Sequence, residues 1–399
     1  MDYIIREKYI SKIKPFINKP VIKTLTGMRR AGKSSLLHII KDEILKDVAD
    51  ENKIYINFET SMLLSINNAY SLLEYLKPLL EDVKGKVYFF FDEIQVIDGW
   101  EEVISDLKHN RDYDIFLTSS NKKLISSLSE KYVEFEIQPF TFSEFKKAFE
   151  NMELSKENLF YKFIQLGGLP FLKYFDLDET PSFEYLNDIY NTVLVKDVLQ
   201  HNNIRDVDLF NHIFSYVIAN VGQSFSASSI KTYLKNKNKN ISVDTILNYL
   251  EYCNIAFLIK KVPRYDILSK KTLKVDEKYY LTDHGFRQAT GFPITQDIER
   301  ILENIVYIEL LSRGYEVKVG KVKNKEINCI AKKEKDLSYY QISYKIRDEK
   351  TRERIFETYN SITDNFPKYV LSMDHSNFSQ DGIIHKNIID FLLEDEGVK

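Results

Sequence analysis

A lysine, a serine and two adjacent carboxylates are the residues of this chain best spaced to handle a polyphosphate. The lysine and serine end the stretch Gly27-Met28-Arg29-Arg30-Ala31-Gly32-Lys33-Ser34. It follows an apolar run, Val21-Ile22 to Leu25, and leads into Ser35-Leu36-Leu37-His38-Ile39-Ile40. That order is strand, glycine loop, helix, and Gly-x4-Gly-Lys-Ser is the spacing of a P-loop. Its glycines let successive backbone N–H groups turn inward around phosphate oxygens, and the helix N-terminus behind them favours negative charge. Lys33 is expected to reach the β- and γ-phosphates of ATP, and Ser34 to hold Mg2+ through its hydroxyl. Gly27, Met28, Arg29, Arg30, Ala31, Gly32 and Ser35 complete the expected cradle. The plainer alternative is a glycine turn that only closes a strand–helix unit.

The carboxylates are Asp92 and Glu93, behind Val87-Tyr-Phe-Phe-Phe. The apolar run puts them at the C-terminal edge of a buried strand, where open α/β sheets bind their ligands. Asp92 is expected to bind Mg2+, mostly through water, and Glu93 to orient and polarise the attacking water. Capping of the following helix is the alternative. Asn121, preceded by Thr118-Ser119-Ser120, is expected to touch the γ-phosphate or the water, with a helix cap again the alternative. The catalytic set read from the sequence is therefore Glu93, Lys33 and Asn121. Glu59 ends another strand on the same edge; restraining Glu93 or sensing the nucleotide is there the less favoured reading, against a plain strand end. Between Glu93 and Ile204 the only arginine is Arg111. Candidates for a charge-stabilising arginine are Arg111, Arg29 and Arg30, with Lys131 a weaker substitute because it lacks the planar fork. Slow intrinsic hydrolysis, completed by a partner or another subunit, is the expectation.

Such a site needs a sheet to hold it. Lys53-Ile-Tyr-Ile-Asn-Phe-Glu59, Lys86 to Glu93, Asp114 to Asn121 and Tyr132 to Ile137 read as strands, and Ser71–Leu80 and Trp100–His109 as helices between them. The alternation predicts a doubly wound parallel sheet, an α/β P-loop NTPase fold, over residues 1–140. Residues 141–204 read as a helical lid, broken at Gly167-Gly168-Leu-Pro170. Residues 205–295 run three helices and two β-rich segments, Ile255–Lys260 and Glu277–Thr282, joined through a lysine-rich turn; that order suggests a winged helix. Residues 296–399 restart as α/β, with a helix over Ile298–Ser312.

The 399 residues, 44% hydrophobic, suffice for two or three cores. A net charge of −3 confines any nucleic-acid surface to a local patch. Cys253 and Cys329 form no CxxC, against a disulfide framework or a cysteine zinc site, and the seven histidines contain no HExxH. The first residues carry charges where a signal peptide needs an apolar core, and no apolar stretch reaches membrane-spanning length. A soluble cytoplasmic protein with no membrane partner is the expectation.

With those motifs in place, the chain resembles a family of prokaryotic AAA-superfamily ATPases that carry a C-terminal domain of unknown function, described as a degenerate nuclease-like fold. The resemblance spans nearly the whole chain. It is carried by Gly27–Leu37, Phe91-Asp-Glu-Ile-Gln95 with Trp100, Leu117–Asn121, Gln138–Phe145, Leu166-Gly-Gly-Leu-Pro170, Val193-Leu-Val-Lys-Asp197, Lys278–Phe286 and Leu302-Glu-Asn304. It implies nucleotide binding. The chain departs from the pattern at Glu130-Lys131, where Gly-Arg is usual, and at Ser119-Ser120, where Gly-Ser is frequent.

A nuclease of the PD-(D/E)xK type needs a helix acid, a strand acid and an acid-x-Lys converging on a metal. Here Glu303 fits the helix position, but Asn328 stands for the strand acid and Gln341-Ile-Ser343 for the last element. The expected role of this region is structural or binding. The winged-helix stretch carries Lys231, Lys235, Lys237, Lys239, Lys260, Lys261, Arg264, Lys270, Lys271 and Lys274, a candidate for weak, non-specific DNA contact. Its expected recognition helix, Ser242–Tyr252, has Asp244 and Glu251 and no basic residue, leaving Thr245 and Asn248 to read bases; docking of a protein is the stronger reading. The sequence thus describes an ATP-binding, Mg2+-dependent ATPase acting as a nucleotide-driven switch. The alternatives are a DNA- or protein-docking adaptor holding ATP as a structural ligand, and a nucleotide-dependent nuclease. Homo-oligomerisation is left open.

Overall fold

The computed structural model describes residues 3–60, 66–81, 83–110, 112–125, 128–293 and 297–394, the side chains of 124–125 and 274–276 apart. Arg111 and the side chain of Lys274 lie outside the described residues. The chain divides into two units, residues 1–138 with 255–257, and residues 139–254 with 258–399. Among the described residues no helix is long and apolar enough to cross a membrane.

The first unit is built on five parallel strands: β1 (Ile22–Thr26), β2 (Lys53–Asn57), β3 (Val87–Asp92), β4 (Tyr113–Ser119) and β5 (Tyr132–Glu136), in the order β2-β3-β4-β1-β5. The run Val87–Phe91 shows why the sheet is covered on both sides. Val87, Phe89 and Phe91 join one core with Trp100 and Ile104, while Tyr88 and Phe90 join the other with Leu36, Leu37 and Phe116. Period-two alternation turns one continuous aromatic run into anchors for two cores. Each phenylalanine buried this way stabilises by about 1.5–3 kcal/mol. Register then aligns the strand ends: Thr26 lies opposite Ser119, and Asn57 opposite Asp92. Because β4 lies between β1 and β3, its end sits between the loop that follows β1 and the acids that end β3.

The second unit holds a seven-stranded mixed sheet: β6 (Ile259–Asp266), β7 (Lys271–Leu281), β8 (Glu316–Val322), β9 (Lys325–Lys333), β10 (Asp336–Ile342), β11 (Lys368–Ser372) and β12 (Ile383–Asn387), ordered β12-β11-β10-β9-β8-β6-β7. The lysine-rich hairpin expected from the sequence is present as β6–β7. Its start is not where the apolar run placed it: the helix Val243–Ile255 continues through Ile255, and β6 begins only at Ile259. A short apolar run fits a buried helix end as well as a strand, and periodicity alone does not separate them. Strand β6 also pairs in parallel with β8 (Arg264 opposite Val319), so the hairpin is continuous with the sheet of the last hundred residues. The helix Ile298–Ser312 spans its expected residues.

The break at Gly167-Gly168 has a physical cause within this unit. Helix Lys156–Leu166 ends at Gly167 (φ 80°), where a Cβ would lie 1.9 Å from Asp283 Oδ1. The buried Asp283 carboxylate accepts N–H bonds from Gly168 (2.9 Å) and Gly285 (2.8 Å). Beside it, His284 Nε2 donates to the Phe163 carbonyl at 2.7 Å. The two motifs Leu166–Pro170 and Thr282–Gly285 are thus halves of one joint.

That joint sets a pH dependence of stability. Burial raises the Asp283 carboxyl to about 6 against the pull of its N–H donors, and burial lowers His284 to about 4. A raised acid contributes stability at low pH that is lost as pH climbs from about 3.8 to 6. A lowered histidine contributes stability above about 6.5 that is lost as pH falls to 4. Each displacement corresponds to about 3 kcal/mol, with opposite slopes that offset each other between pH 4 and 6. In urea titrations Asp283→Asn should therefore lose stability as pH drops from 6.5 to 4, and His284→Gln should lose it as pH rises over the same range. Matching slopes in the two variants would refute the pairing.

Candidate functional site

The loop after β1 is shaped by close approach. Gly27 (φ 141°) has no room for a side chain, since a Cβ would fall 2.3 Å from the Ile137 carbonyl oxygen. Gly32 (φ 99°) turns the chain into the helix Lys33–Ile39, which continues as a wider π turn to Ile44. Arg6, buried near the N-terminus, donates from Nη1 to the Ala31 carbonyl at 3.0 Å and braces the loop from behind. No local sequence signal marks Arg6 for this role, because its partner lies 25 residues away.

Lys33 is only 3% exposed. Its Nζ donates to the carbonyls of Gly27 (3.0 Å) and Met28 (3.1 Å) and lies 3.0 Å from Glu93 Oε1. Glu93 itself has left-handed backbone (φ 56°, ψ 49°), a conformation that costs a non-glycine residue on the order of 1–3 kcal/mol and collects at functional positions. Its N–H donates to Thr118 Oγ1 at 2.8 Å, while its Oε2 accepts from Ser120 Oγ (2.7 Å), the Ser120 N–H (3.2 Å) and Gln95 Nε2. Burial pushes the Glu93 carboxyl up, but Lys33, Arg29, Gln95 and Ser120 together outweigh it and hold it at about 2. The carboxylate is therefore charged, fixed and aimed.

Asp92 is fully buried. Thr118 Oγ1 donates to its Oδ1, and Tyr55 Oη (2.8 Å) and Asn57 Nδ2 (3.2 Å) donate to its Oδ2. Three donors leave this acceptor one lone-pair direction, enough for contact through water. Ser34 lies at the start of the loop's helix. Among the described residues no three His, Cys, Asp or Glu side chains are grouped to cage a metal. A serine hydroxyl and one carboxylate suit Mg2+, which keeps several waters and takes further oxygens from substrate phosphates.

Asn121 lies buried just past the end of β4. Its Oδ1 accepts the Lys123 N–H at 3.0 Å, a helix-capping contact, and Ser119 Oγ bonds its backbone. At and just past the end of β4, Thr118 and Ser120 touch the acids. The switch from apolar to hydroxyl residues at Leu117-Thr-Ser-Ser would have pointed to them. Glu59 pairs with Arg29, not with Glu93. Lys131 is exposed.

In the second unit, Glu303, Asn328, Gln341 and Ser343 line one cavity of about 380 Å³ together with Arg300, Glu326 and Arg354. A cation is already supplied there by the protein. Lys278 Nζ, 3% exposed, sits 2.7 Å from Glu303 Oε1 and 2.5 Å from Glu326 Oε1. Burial disfavours its ammonium, but the two carboxylates more than compensate and hold it above its usual range. Asn328 donates to Glu303 Oε2 at 2.7 Å and accepts the Ile342 N–H at 2.9 Å, a bridge no aspartate could make. Ser343 Oγ donates to Glu299 at 3.0 Å. The carboxylates are thus committed to protein donors. Supercoiled DNA incubated with the chain, Mn2+ and ATP should stay intact. Lys278→Met, which strands two carboxylates, should cost about 3–5 kcal/mol of stability. Cleavage abolished by Glu303→Ala would contradict the first expectation, and a Lys278→Met variant as stable as wild type the second.

Several of the lysines of the winged-helix stretch are also committed. Lys239 pairs with Asp208, Lys261 Nζ lies 2.9 Å from Glu277, and Lys260 is buried. Thr245 takes part in the helix start with Ser242 (2.8 Å between hydroxyls). The surface is less basic than its composition.

Residues 19–146 match the model of an AAA domain, and residues 157–296 that of a domain of unknown function, DUF8612. An uncharacterized protein of Haemophilus influenzae is 32% identical over 402 residues, spanning 98% of this chain and 99% of its own length. One from Methanocaldococcus jannaschii is 31% identical, over 87% of this chain and 79% of its own. In fold, the chain is similar to a Walker-type ATPase of Pyrococcus abyssi, with a TM-score of 0.53 at 17% identity over 72% of this chain and 96% of that one.

Proposed function

The chain belongs to the family of P-loop ATPases that join an AAA domain to the domain of unknown function DUF8612, and from that premise we propose that it hydrolyses ATP to ADP and phosphate with Mg2+ and uses the nucleotide state to switch its C-terminal regions. The observation that carries the reading is the meeting of Lys33 and a strained, hydrogen-bonded Glu93 within 3.0 Å. The loop N–H groups and Lys33 bind the β- and γ-phosphates. Ser34 and Asp92 would hold Mg2+, which would supply neutralisation of developing phosphate charge. Glu93 orients the water that attacks the γ-phosphorus as the bond to the bridging oxygen breaks. Thr118 and Ser120 keep both acids in place.

The proposed division is residues 1–140 for the ATPase, 141–204 for a helical lid, 205–295 for a winged-helix-like region and 296–399 for an α/β region without nuclease activity. A cytoplasmic location fits two buried thiols that make no disulfide. The second reading, a docking adaptor that keeps ATP as a structural ligand, is favoured for the C-terminal regions by the paired lysines, which point to a protein partner ahead of DNA. Single-turnover phosphate release from ATP with Mg2+, wild type against Glu93→Gln, separates hydrolysis from static binding.

A further inference from the structure

Phosphoryl transfer uses a planar cation to stabilise charge on the γ-phosphoryl, and the mechanism described so far assigns that task only a lysine. We propose that Arg29, carried on the P-loop itself, is that cation, and that Glu59 holds it until the terminal phosphate of ATP takes it over. The proposal rests on the ATPase reading. Arg29 lies two residues beyond Gly27, whose carbonyl accepts from Lys33. Its guanidinium is ion-paired with Glu59, the two side chains being 16% and 40% exposed. Glu59 belongs to the same sheet edge as the acids: its N–H donates to Asn57 Oδ1 at 2.9 Å, and Asn57 donates to Asp92. The field of Arg29 also reaches Glu93, where it adds to that of Lys33. Arg30 differs, being exposed and in left-handed backbone (φ 64°), with no ion pair among the described residues.

Two loop cations thus each meet a carboxylate, Lys33 meeting Glu93 and Arg29 meeting Glu59. A γ-phosphoryl group offers three oxygens in a geometry the guanidinium fork can grip with two donors, and it outcompetes a half-exposed carboxylate. ADP lacks that group and leaves Arg29 on Glu59. The exchange therefore distinguishes ATP from ADP and places a cation beside the transferring phosphoryl without a second subunit. Arg29 forms and breaks no covalent bond. Water oxygen bonds to the γ-phosphorus, the bond to the bridging oxygen breaks, ADP and phosphate leave, and the water's proton departs to solvent by way of Glu93.

The experiment compares wild type, Arg29→Ala, Arg29→Lys, Glu59→Gln, the Arg29→Ala/Glu59→Gln pair and Lys33→Ala. It reads calorimetric affinity for ADP and for a non-hydrolysable ATP analogue, trapping of ADP with aluminium fluoride, and single-turnover rate. Arg29→Ala should bind ADP within roughly threefold of wild type, fail to trap ADP with aluminium fluoride, and hydrolyse ATP about 10³-fold more slowly. Arg29→Lys should lie nearer to Arg29→Ala than to wild type. Glu59→Gln should bind the ATP analogue up to roughly fivefold tighter with ADP affinity unchanged, a gain absent from the double variant. Wild-type trapping by Arg29→Ala, or a Glu59→Gln gain that survives without Arg29, overturns the proposal. Failure of wild type itself to bind nucleotide, as expected only of Lys33→Ala, would remove the ATPase reading and this inference with it.

Discussion

Glu93→Gln should bind ATP at least as tightly as wild type and hydrolyse it roughly 10²–10⁴ times more slowly, the range in which positioned acid–base groups act. The amide keeps the shape of the side chain and one acceptor for Ser120, so the strained turn that Thr118 supports survives. It loses the charge that faces Lys33 at 3.0 Å. Lys33 is then released from a competitor, and binding tightens while water is left without its carboxylate. A carboxyl held at about 2 is a weak base, so Glu93 in this arrangement orients water more than it abstracts a proton. Transfer of Lys33 and Arg29 to the phosphates withdraws the two charges that depress it, and its basicity rises when the substrate is in place. The acid limb of kcat, which reports the complex, should accordingly lie above that of kcat/KM, which reports the free enzyme. Hydrolysis by Glu93→Gln at the wild-type rate would remove Glu93 from the mechanism.

What the sequence revealed here follows the range over which the determining forces act. The P-loop, Asp92 and Glu93 are legible because a strand, a tight turn and the residues that follow are set within a dozen positions. The companions of those acids are not. Asn57 reaches Asp92 only through the β2–β3 register, and Thr118 and Ser120 only because β4 is inserted between β1 and β3. Asn121 has the right residue type at the right strand end, and its side-chain oxygen accepts the N–H two residues on. Local competition of this kind is the ordinary fate of asparagine at a helix start. In the second unit the convergence of Glu303, Asn328 and Ser343 was legible from helix and strand positions. The ammonium of Lys278 between Glu303 and Glu326 was not, because β7 enters the sheet on the far side of β6. A lysine counted as surface charge by composition is there the buried counter-ion of two carboxylates.

Lys33→Ala should raise the dissociation constant for ATP by at least about thirtyfold, since truncating one member of a buried, hydrogen-bonded charge pair costs about 2–5 kcal/mol. It should also destabilise the fold, and the two effects have separable causes. Binding is lost because no other described side chain of the loop offers an ammonium to the phosphates from inside. Stability is lost because the carbonyls of Gly27 and Met28 lose their donor and Glu93 becomes an unpaired buried charge. The sign with pH follows from the same pair. Glu93 is depressed from 4.5 to about 2, so its ionisation contributes stability above pH 4.5 that is lost as pH falls toward 2. Without Lys33 the burial that opposes its charge is no longer outweighed to the same degree, and that contribution shrinks or changes sign. The stability gap between wild type and Lys33→Ala should therefore be widest near neutral pH and narrow below 4.5. Lys33→Met combined with Glu93→Gln removes both charges and should recover much of the stability lost in Lys33→Ala while still failing to bind ATP. Denaturant titrations at pH 3 and 7, with calorimetric ATP binding for all three proteins, test this directly. An unchanged affinity in Lys33→Ala would overturn the assignment of the loop, and a stability gap independent of pH would show that Lys33 does not hold Glu93 in its charged form.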